Sequence, residues 1–293
     1  MDLVNGSIGL RLALLGAIWG GSFLLQRIAV PALGPGLVSF GRIALAALAM
    51  LLLTRSLRRR LHWHSRWRDF VAVGALNSAL PFFLFAYAAP SLPSGYLALL
   101  NGMVPMFTVL VAWAGGARPT AGKSAGIVLG ILGVGLIVGF GVVAINASTL
   151  LAFAAGAAAA LLYALATVQV RNRFGGVDPL VIATGSLCGA APLLLPLAVM
   201  GLPQAQATMP ALLCLLVLGL VCTALAYVLY FGLLQDAGAE RATTVTLLVP
   251  VFALVFGAVL LSEPVTVSGV AGCGLVLLSI ALIFGKLRWP GSR

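Results

Sequence analysis

Charged residues are scarce in this sequence, and acidic residues are the scarcest of all. Only 8% of the 293 residues are charged and 6 are Asp or Glu, whereas 62% are hydrophobic. A soluble domain carries about a quarter charged residues, because it must cover its surface for water. The shortage therefore excludes an ordinary soluble domain and favours a protein whose solvent is the lipid bilayer.

Sequence motifs for metal binding, redox chemistry and catalysis are also missing. The four cysteines fall inside apolar stretches without metal-site or redox spacing, and we interpret them as small core residues. Residues 117–124 (ARPTAGKS) imitate a phosphate-binding loop and 122–126 (GKSAG) a nucleophile elbow. The first follows no soluble strand and has no acidic partner for magnesium, and both histidines lie outside the apolar segments. We predict no enzymatic activity, no metal and no cofactor.

Apolar segments of about 20 residues, the length that crosses hydrocarbon, fill the chain between polar or turn-rich breaks. We predict an all-α integral membrane protein with ten transmembrane helices. The predicted spans are 8–30, 37–54, 70–89, 94–113, 122–141, 149–170, 179–200, 211–232, 238–261 and 266–285.

Basic residues fall almost entirely on one predicted side of the membrane. With the N-terminus inside, Arg27 and Arg42 are the two basic residues that do not lie in an inner loop or at the inner end of a span. A basic, aromatic stretch at 55–68 could bind RNA, but the positive-inside rule accounts for it and predicts both termini cytoplasmic. The fifteen basic residues on the inner side are Arg11, Arg55, Arg58, Arg59, Arg60, Arg66, Arg68, Arg118, Lys123, Arg171, Arg173, Arg241, Lys286, Arg288 and Arg293.

The two halves of the chain resemble each other at a shift of about 145 residues. Segment 101–107 (NGMVPMF) aligns with 246–252 (TLLVPVF), and Ser78 aligns with Thr223. Because each half holds five spans, an odd number, the halves enter the membrane in opposite directions. We predict a five-plus-five inverted repeat in one membrane domain, with repeats at 1–143 and 144–293.

A pair of prolines indicates where a central site would lie. Pro105 and Pro250 each lack an N–H and free the carbonyl four residues earlier, that of Asn101 or Thr246. Such carbonyls are tolerated at membrane depth against protein or a wet cavity, so paired helix breaks predict a substrate site between the repeats. The alternative is a pair of kinks that only help packing.

Polar and aromatic residues on other spans complete the candidate site. For the hydroxyl residues the alternative role is interhelical hydrogen bonding, worth about 0.6 kcal/mol per contact in a membrane. The candidate substrate-binding residues are Trp19, Ser22, Arg42, Asn77, Ser78, Phe82, Asn101, Tyr163, Thr223, Tyr227 and Thr246.

Two arginines within spans call for different explanations. Arg42 lies about two turns into its span, where a charge costs roughly 2.5 kcal/mol or more unless it is paired or hydrated. It binds a substrate carboxylate or clamps helix ends through their carbonyls. Arg27 lies nearer the outer boundary and is expected to snorkel. Since no Asp or Glu occupies the middle of a span, we predict transport down a gradient or coupling without a buried carboxylate.

The sequence resembles the EamA-type transporters of the drug/metabolite transporter superfamily. The resemblance rests on 18–23 (IWGGSF), on Arg42 after 39–41 (SFG), on the two proline segments and on 262–264 (SEP). Arg118 departs from it, since family members often carry Glu there. The resemblance implies a metabolite exporter in a bacterial inner membrane, with amino acids the commonest substrates. Nucleobase-like, lipid-carrier or drug-like solutes remain alternatives, as does a channel.

Small residues on the fifth span bear on the oligomeric state. Gly122, Gly126 and Gly130 form one narrow face, which lets another helix approach closely. We expect this face to pack within a monomer rather than to form a dimer.

Overall fold

The computed structural model describes residues 2–140 and 143–285, and its regular structure there is helical throughout. Lys286, Arg288 and Arg293, three of the predicted inner basic residues, lie outside the described residues. The helices are α1 (Asp2–Ser56), α2 (Trp63–Gly74), α3 (Leu80–Ala88), α4 (Ser94–Gly102), α5 (Val104–Ala114), α6 (Ala121–Phe140), α7 (Ala147–Arg173), α8 (Pro179–Gly201), α9 (Met209–Gly219), α10 (Ala226–Ala242), α11 (Val245–Leu261) and α12 (Val267–Ile283).

Among the described residues, six helical stretches are long and apolar enough to cross a bilayer, and three shorter helices are also apolar. The prediction of an all-helical chain with apolar spans is therefore confirmed. The long stretches are Ile8–Ser56, Trp63–Ala88, Ser94–Ala114, Ala147–Arg173, Pro179–Gln204 and Met209–Gly238, and the shorter helices are Ala121–Ile137, Val245–Leu261 and Val267–Ile283.

Helix α1 covers the first two predicted spans and changes direction between them. Its backbone leaves the helical region at Gly34, where φ is 78°. An L-residue with a side chain rarely adopts this conformation, so glycine is required at the turn. Pro31 and Pro35 flank it, and each removes a hydrogen-bond donor from the helical ladder there.

Two glycines 145 residues apart bring helices from the two halves of the chain close together. Gly74, at the end of α2, lies against the carbonyl oxygen of Ser186 on α8. Gly219, at the end of α9, lies against the carbonyl oxygen of Arg42 and the side chain of Leu45, both on α1. A methyl group at either glycine would overlap its neighbours, so both crossings depend on the absence of a side chain.

A second pair of contacts follows the same shift, to within one residue. Gly41 on α1 lies against the Leu215 side chain on α9, and Gly185 on α8 lies against the Phe70 ring on α2. In both crossings a glycine receives a large apolar side chain from the other half of the chain. These two crossings between the halves therefore share one kind of contact.

Two short π-helical segments also occupy corresponding positions. Ala75–Ala79 joins α2 to α3, and Leu220–Leu225 joins α9 to α10. The Thr223 hydroxyl donates to the Leu218 carbonyl, five residues earlier, at 2.8 Å. π-Helical turns are rare and occur often at functional sites, because they disturb the regular backbone ladder.

The two prolines that predict helix breaks behave differently. The helix ends at Gly102 and resumes at Val104, so Pro105 stands in the first turn of α5, where no donor is needed. The predicted break at Pro250 is wrong, because α11 continues through it from Val245 to Leu261. Pro250 lies near the start of that helix, so a single hydrogen bond is lost and the remaining turns hold the backbone.

The small-residue face of the fifth span packs inside the chain. The Ser279 hydroxyl on α12 donates to the Gly126 carbonyl on α6 at 2.6 Å, and the same hydroxyl lies against Gly130. Gly126 and Gly130 therefore contact another helix of the same chain, and the preference for a monomer stays a prediction.

We predict that Gly219→Ala lowers the midpoint of thermal unfolding of the purified protein in detergent by about 3–6 °C. Its methyl group overlaps the Arg42 carbonyl and Leu45, and overpacking costs roughly 1–3 kcal/mol. Gly232→Ala on α10 is the matched control, because nothing lies within 4 Å of its added methyl group. Equal midpoints for the two variants would contradict the close crossing.

Candidate functional site

Arg42 lies deep in the helical bundle. Along α1 it is eight residues from the turn at Gly34 and fourteen from Ser56, which are about 12 Å and 21 Å of helix. Ser78, Tyr163 and Thr223 each lie at least ten residues, about 15 Å, from the nearer end of their own helical stretch. All four residues are therefore at the depth expected for the hydrocarbon core.

The Arg42 guanidinium is buried, and it has no acidic partner among the described residues. Its side chain donates from Nε to the Thr223 hydroxyl at 2.9 Å and lies 4.0 Å from the centre of the Phe82 ring. The residue is only 6% exposed. The four ion pairs of the described residues all use other arginines, and neither Arg42 Nη group donates to a described residue. A cation at this depth is costly unless it is paired or hydrated, and Arg42 still has donors that no described residue uses.

Hydroxyl and aromatic groups surround the arginine. Tyr163 and Tyr227 pack against the same buried cluster as Phe82, and the Asn77 amide donates to the Tyr227 hydroxyl at 3.5 Å. The Ser78 hydroxyl is fully buried beside the Tyr227 hydroxyl, and it makes no hydrogen bond of good geometry to a described residue. A buried hydroxyl without a well-formed hydrogen bond is costly, so Ser78 is a polar group that packing alone does not explain.

A line of aromatic rings connects Trp19 to this cluster. Trp19 and Tyr230 have ring centres 5.4 Å apart, Tyr230 and Phe231 6.1 Å, and Phe231 and Tyr227 6.0 Å. Edge and tilted arrangements of this kind favour aromatic pairs beyond simple burial. The sequence analysis singled out Tyr227 on α10 but not Phe231, because one phenylalanine in an apolar helix carries no distinguishing pattern.

The structure thus brings together eight of the predicted site residues, which we call the Arg42 cluster: Trp19, Arg42, Asn77, Ser78, Phe82, Tyr163, Thr223 and Tyr227. No hydrogen bond or ring contact of the described residues links Asn101 or Thr246 to it, and Ser22 reaches it only through the backbone of Trp19. The Ser22 hydroxyl donates to the Trp19 carbonyl at 2.7 Å, and the Thr246 hydroxyl to the Thr243 carbonyl at 2.7 Å. Both hydroxyls serve their own helices.

A second polar cluster, which sequence reasoning missed, lies at the end of the bundle near Gly34. Glu263 accepts hydrogen bonds from the Ser94 amide at 3.0 Å and the Ser94 hydroxyl at 2.7 Å. Arg27 Nε lies 3.0 Å from the same carboxylate, and its Nη1 donates to the Leu92 carbonyl. Arg27 lies near the outer boundary as expected, and its guanidinium is close enough to the Glu263 carboxylate to pair with it, a partner that the sequence did not indicate. We call these residues the Glu263 cluster.

Ion pairs of the described residues all join the first half of the chain to the second. Besides Arg27 and Glu263, the pairs are Arg11 with Asp236, Arg59 with Asp178, and Arg173 with Asp69. Arg11 and Arg27 are sixteen residues apart on α1, about 24 Å, so ion pairs stand at both ends of the bundle. The Glu263 cluster is the least exposed, with 10% of the Glu263 side chain accessible against 56% for Asp236.

Comparison with known proteins gives matches along almost the whole chain. The model of the EamA-like transporter family matches twice, at residues 7–139 and 150–285. The uncharacterized transporters YoaV and YvbV of Bacillus subtilis are each 26% identical, covering 90% and 95% of this chain and 91% and 92% of their own lengths. Protein PecM of Dickeya dadantii is 27% identical over 91% of this chain and 88% of its own.

One solved crystal structure shares the fold. It aligns with a TM-score of 0.65 at 19% identity, over 94% of this chain and 96% of the other. At that identity the likeness concerns the fold alone, so it does not identify a ligand for the Arg42 cluster.

We predict a coupling energy of about 1–2 kcal/mol between Arg27 and Glu263 in a double-mutant cycle of Arg27→Gln and Glu263→Gln, because the pair is mostly desolvated. Unfolding free energies of the purified protein would measure it. The control cycle uses Arg11→Gln and Asp236→Asn, whose side chains are 44% and 56% exposed and should couple by less than about 0.5 kcal/mol. Similar values for both cycles would show that the Glu263 cluster is no stronger than a surface pair.

Proposed function

We propose a transport function from the premise that this chain belongs to the EamA-like transporter family, within the drug/metabolite transporter superfamily. The protein is a secondary transporter of the plasma membrane that exports small metabolites, with amino acids as the leading class. Substrates pass by alternating access through a central site between the two halves, at the Arg42 cluster.

The single observation that carries the amino-acid proposal is the buried guanidinium of Arg42 with no described carboxylate beside it. A substrate carboxylate supplies the missing charge and can accept two parallel N–H bonds from a guanidinium. The Phe82 ring and the two tyrosines offer walls for a substrate side chain. The hydroxyls of Ser78, Tyr163 and Tyr227 offer acceptors for a substrate ammonium group.

Alternating access requires two halves that rearrange about a fixed site. The twofold family match, the paired glycine crossings and the paired π-helical segments support a five-plus-five inverted repeat. In this proposal α1 crosses the membrane twice and the other helical stretches once each, giving ten crossings. The Glu263 cluster closes one end of the path, and the three more exposed ion pairs close the other.

The remaining substrate classes fit the site less well. A nucleobase-like or drug-like solute without a negative charge leaves Arg42 unpaired at membrane depth, where the cost is high. A lipid-carrier substrate supplies an anion but needs an opening toward lipid for its chain. A channel shares the architecture but shows no saturable exchange. We therefore retain all of these as outcomes of the transport experiment.

We predict saturable counterflow of amino acids by the purified protein in proteoliposomes. Vesicles loaded with one unlabelled amino acid should transiently accumulate the labelled form, tested across a panel of about twenty. Arg42→Gln should reduce the initial rate at least about tenfold, the loss expected for one charge-assisted pair of roughly 1.5–3 kcal/mol. Arg42→Lys keeps the charge without the planar fork and should retain part of the rate.

Arg118→Gln is the matched control, because Arg118 is exposed in a loop outside the Arg42 cluster. If Arg42→Gln unfolds, Ser78→Ala tests the site with a smaller change. Full counterflow in a folded Arg42→Gln protein would overturn the carboxylate role. If folded wild-type protein exchanges no amino acid, the proposal that amino acids are the substrates is wrong. The assay would then be repeated with nucleobase-like, lipid-carrier or drug-like solutes.

We also propose that both termini face the cytoplasm of a bacterial inner membrane and that the protein acts as a monomer. In a variant with its four cysteines replaced by alanine, Gln206→Cys should react with a membrane-impermeant maleimide on intact cells. His64→Cys should react only after the membrane is opened, because it lies in the basic stretch. Both positions are exposed, so the reverse pattern would mean the opposite orientation.

A further inference from the structure

We propose that the chain carries a second, unassigned binding site: a basic cleft that holds a phosphate group, supplied by an anionic lipid headgroup or by a free phosphate anion. The cleft lies between the connection from α1 to α2 and the connection from α7 to α8. It has a volume of about 340 Å³, which is ample for a phosphate group with its substituents. It is independent of the Arg42 cluster and of the transport proposal.

The charge of the cleft fits a phosphate. Arg59, Arg60 and Arg66 line it together with His62, and Asp178 is the one acidic residue among its lining residues. With His62 neutral, the lining carries three positive charges against one negative. A phosphate diester or monoester brings one or two negative charges and several acceptor oxygens, which planar guanidinium groups match well.

Two of the three arginines are held in place by contacts within the protein. Arg59 Nε lies 3.4 Å from the Asp178 carboxylate, whose other oxygen accepts from the Leu180 amide at 2.9 Å. Arg66 donates from Nη1 to the Arg173 carbonyl at 3.1 Å, and its guanidinium lies 5.7 Å from the centre of the Phe174 ring. Asp178 is therefore shared with a helix end, and it neutralises the cleft only in part.

Two residues beside the cleft have unfavourable backbone conformations. Arg58 and His62 adopt positive φ angles, 54° and 48°, which non-glycine residues rarely do. They flank the three residues 59–61, all of which line the cleft. At Arg58 this conformation also ends α1, where the Arg59 amide donates to the Thr54 carbonyl at 2.9 Å. The positive-inside rule explains why arginines are abundant in this stretch, but not why they converge on a cavity with left-handed residues on either side.

The surroundings favour a lipid headgroup as the source of the phosphate. Trp63 and Trp67 begin α2 directly after the cleft, and their side chains are 36% and 47% exposed. Tryptophan is enriched at the level of the headgroups, where its ring is partly apolar and partly wet. Basic segments beside membrane spans attract anionic lipids. A cleft at this level is therefore expected to bind the phosphate of a lipid headgroup in preference to dilute free phosphate.

The test compares lipid and free phosphate on the full-length protein. Thermal unfolding in a neutral detergent would be followed while dioleoylphosphatidylglycerol, dioleoylphosphatidylcholine or inorganic phosphate is added. We expect phosphatidylglycerol to raise the unfolding midpoint by several degrees more than phosphatidylcholine. In the double variant Arg60→Gln with His62→Gln, the apparent affinity for phosphatidylglycerol should fall about tenfold or more.

Arg60 and His62 are exposed and make no hydrogen bond from their side chains to a described residue, so the double variant should fold. Arg118→Gln, another exposed arginine of the basic loops, removes one charge without touching the cleft. Its affinity should stay within about twofold of the wild type. Arg60→Lys keeps the charge and should lose less affinity than the glutamine variant.

Each outcome decides the matter. A shift with phosphatidylglycerol alone that depends on Arg60 and His62 supports the site with a lipid as ligand. The same dependence with inorganic phosphate supports the site with a free anion as ligand. No preference for either phosphate-bearing anion over phosphatidylcholine would overturn the proposal. Equal losses from Arg118→Gln and from the double variant would also overturn it, because diffuse charge attraction would then be sufficient.

Discussion

A guanidinium held in the middle of a membrane bundle dominates the physical chemistry of this chain. Arg42 cannot lose its proton, and leaving such a charge uncompensated in hydrocarbon is costly. The protein offsets that cost in part with the Thr223 hydroxyl and the Phe82 ring, neither of which brings a full negative charge. The arrangement is therefore incomplete without an anion or water, and the proposed substrate role of Arg42 rests on this incompleteness.

The helix packing around Arg42 depends on glycines, which have no side chain, more than on large side chains. Gly219 lets the Arg42 backbone come against α9, close to the π-helical segment that holds Thr223, and Gly74 does the same for α8 in the other half. Hydrophobic attraction between helices is absent in lipid, so close backbone approach is one of the few sources of association. The acidic residues, few as they are, add to this, since each described ion pair joins one half of the chain to the other.

Sequence reasoning could predict the features that depend on composition and depth. The lengths of the apolar segments predicted the membrane helices, and a charge inside an apolar segment singled out Arg42. Aligning the two halves paired Ser78 with Thr223, and both cluster with Arg42. It failed where the result depends on three-dimensional neighbours. Arg27 pairs with Glu263, more than 230 residues away along the chain, and Pro250 sits inside a helix that the surrounding turns keep intact. Ser22 has the residue type expected of a site, but its hydroxyl bonds within its own helix.

The two π-helical segments have a consequence for how side chains are aimed. Such a turn holds one residue more than an α-helical turn, and each residue of an α-helix turns the chain by about 100°. The helix after the segment is therefore rotated about its axis relative to the helix before it. Phe82 follows the first π-helical segment and Tyr227 follows the second. The direction in which each ring points therefore depends on the number of residues in the segment before it. A change of chain length by one residue at these segments would re-aim the aromatic wall while leaving every side chain chemically the same.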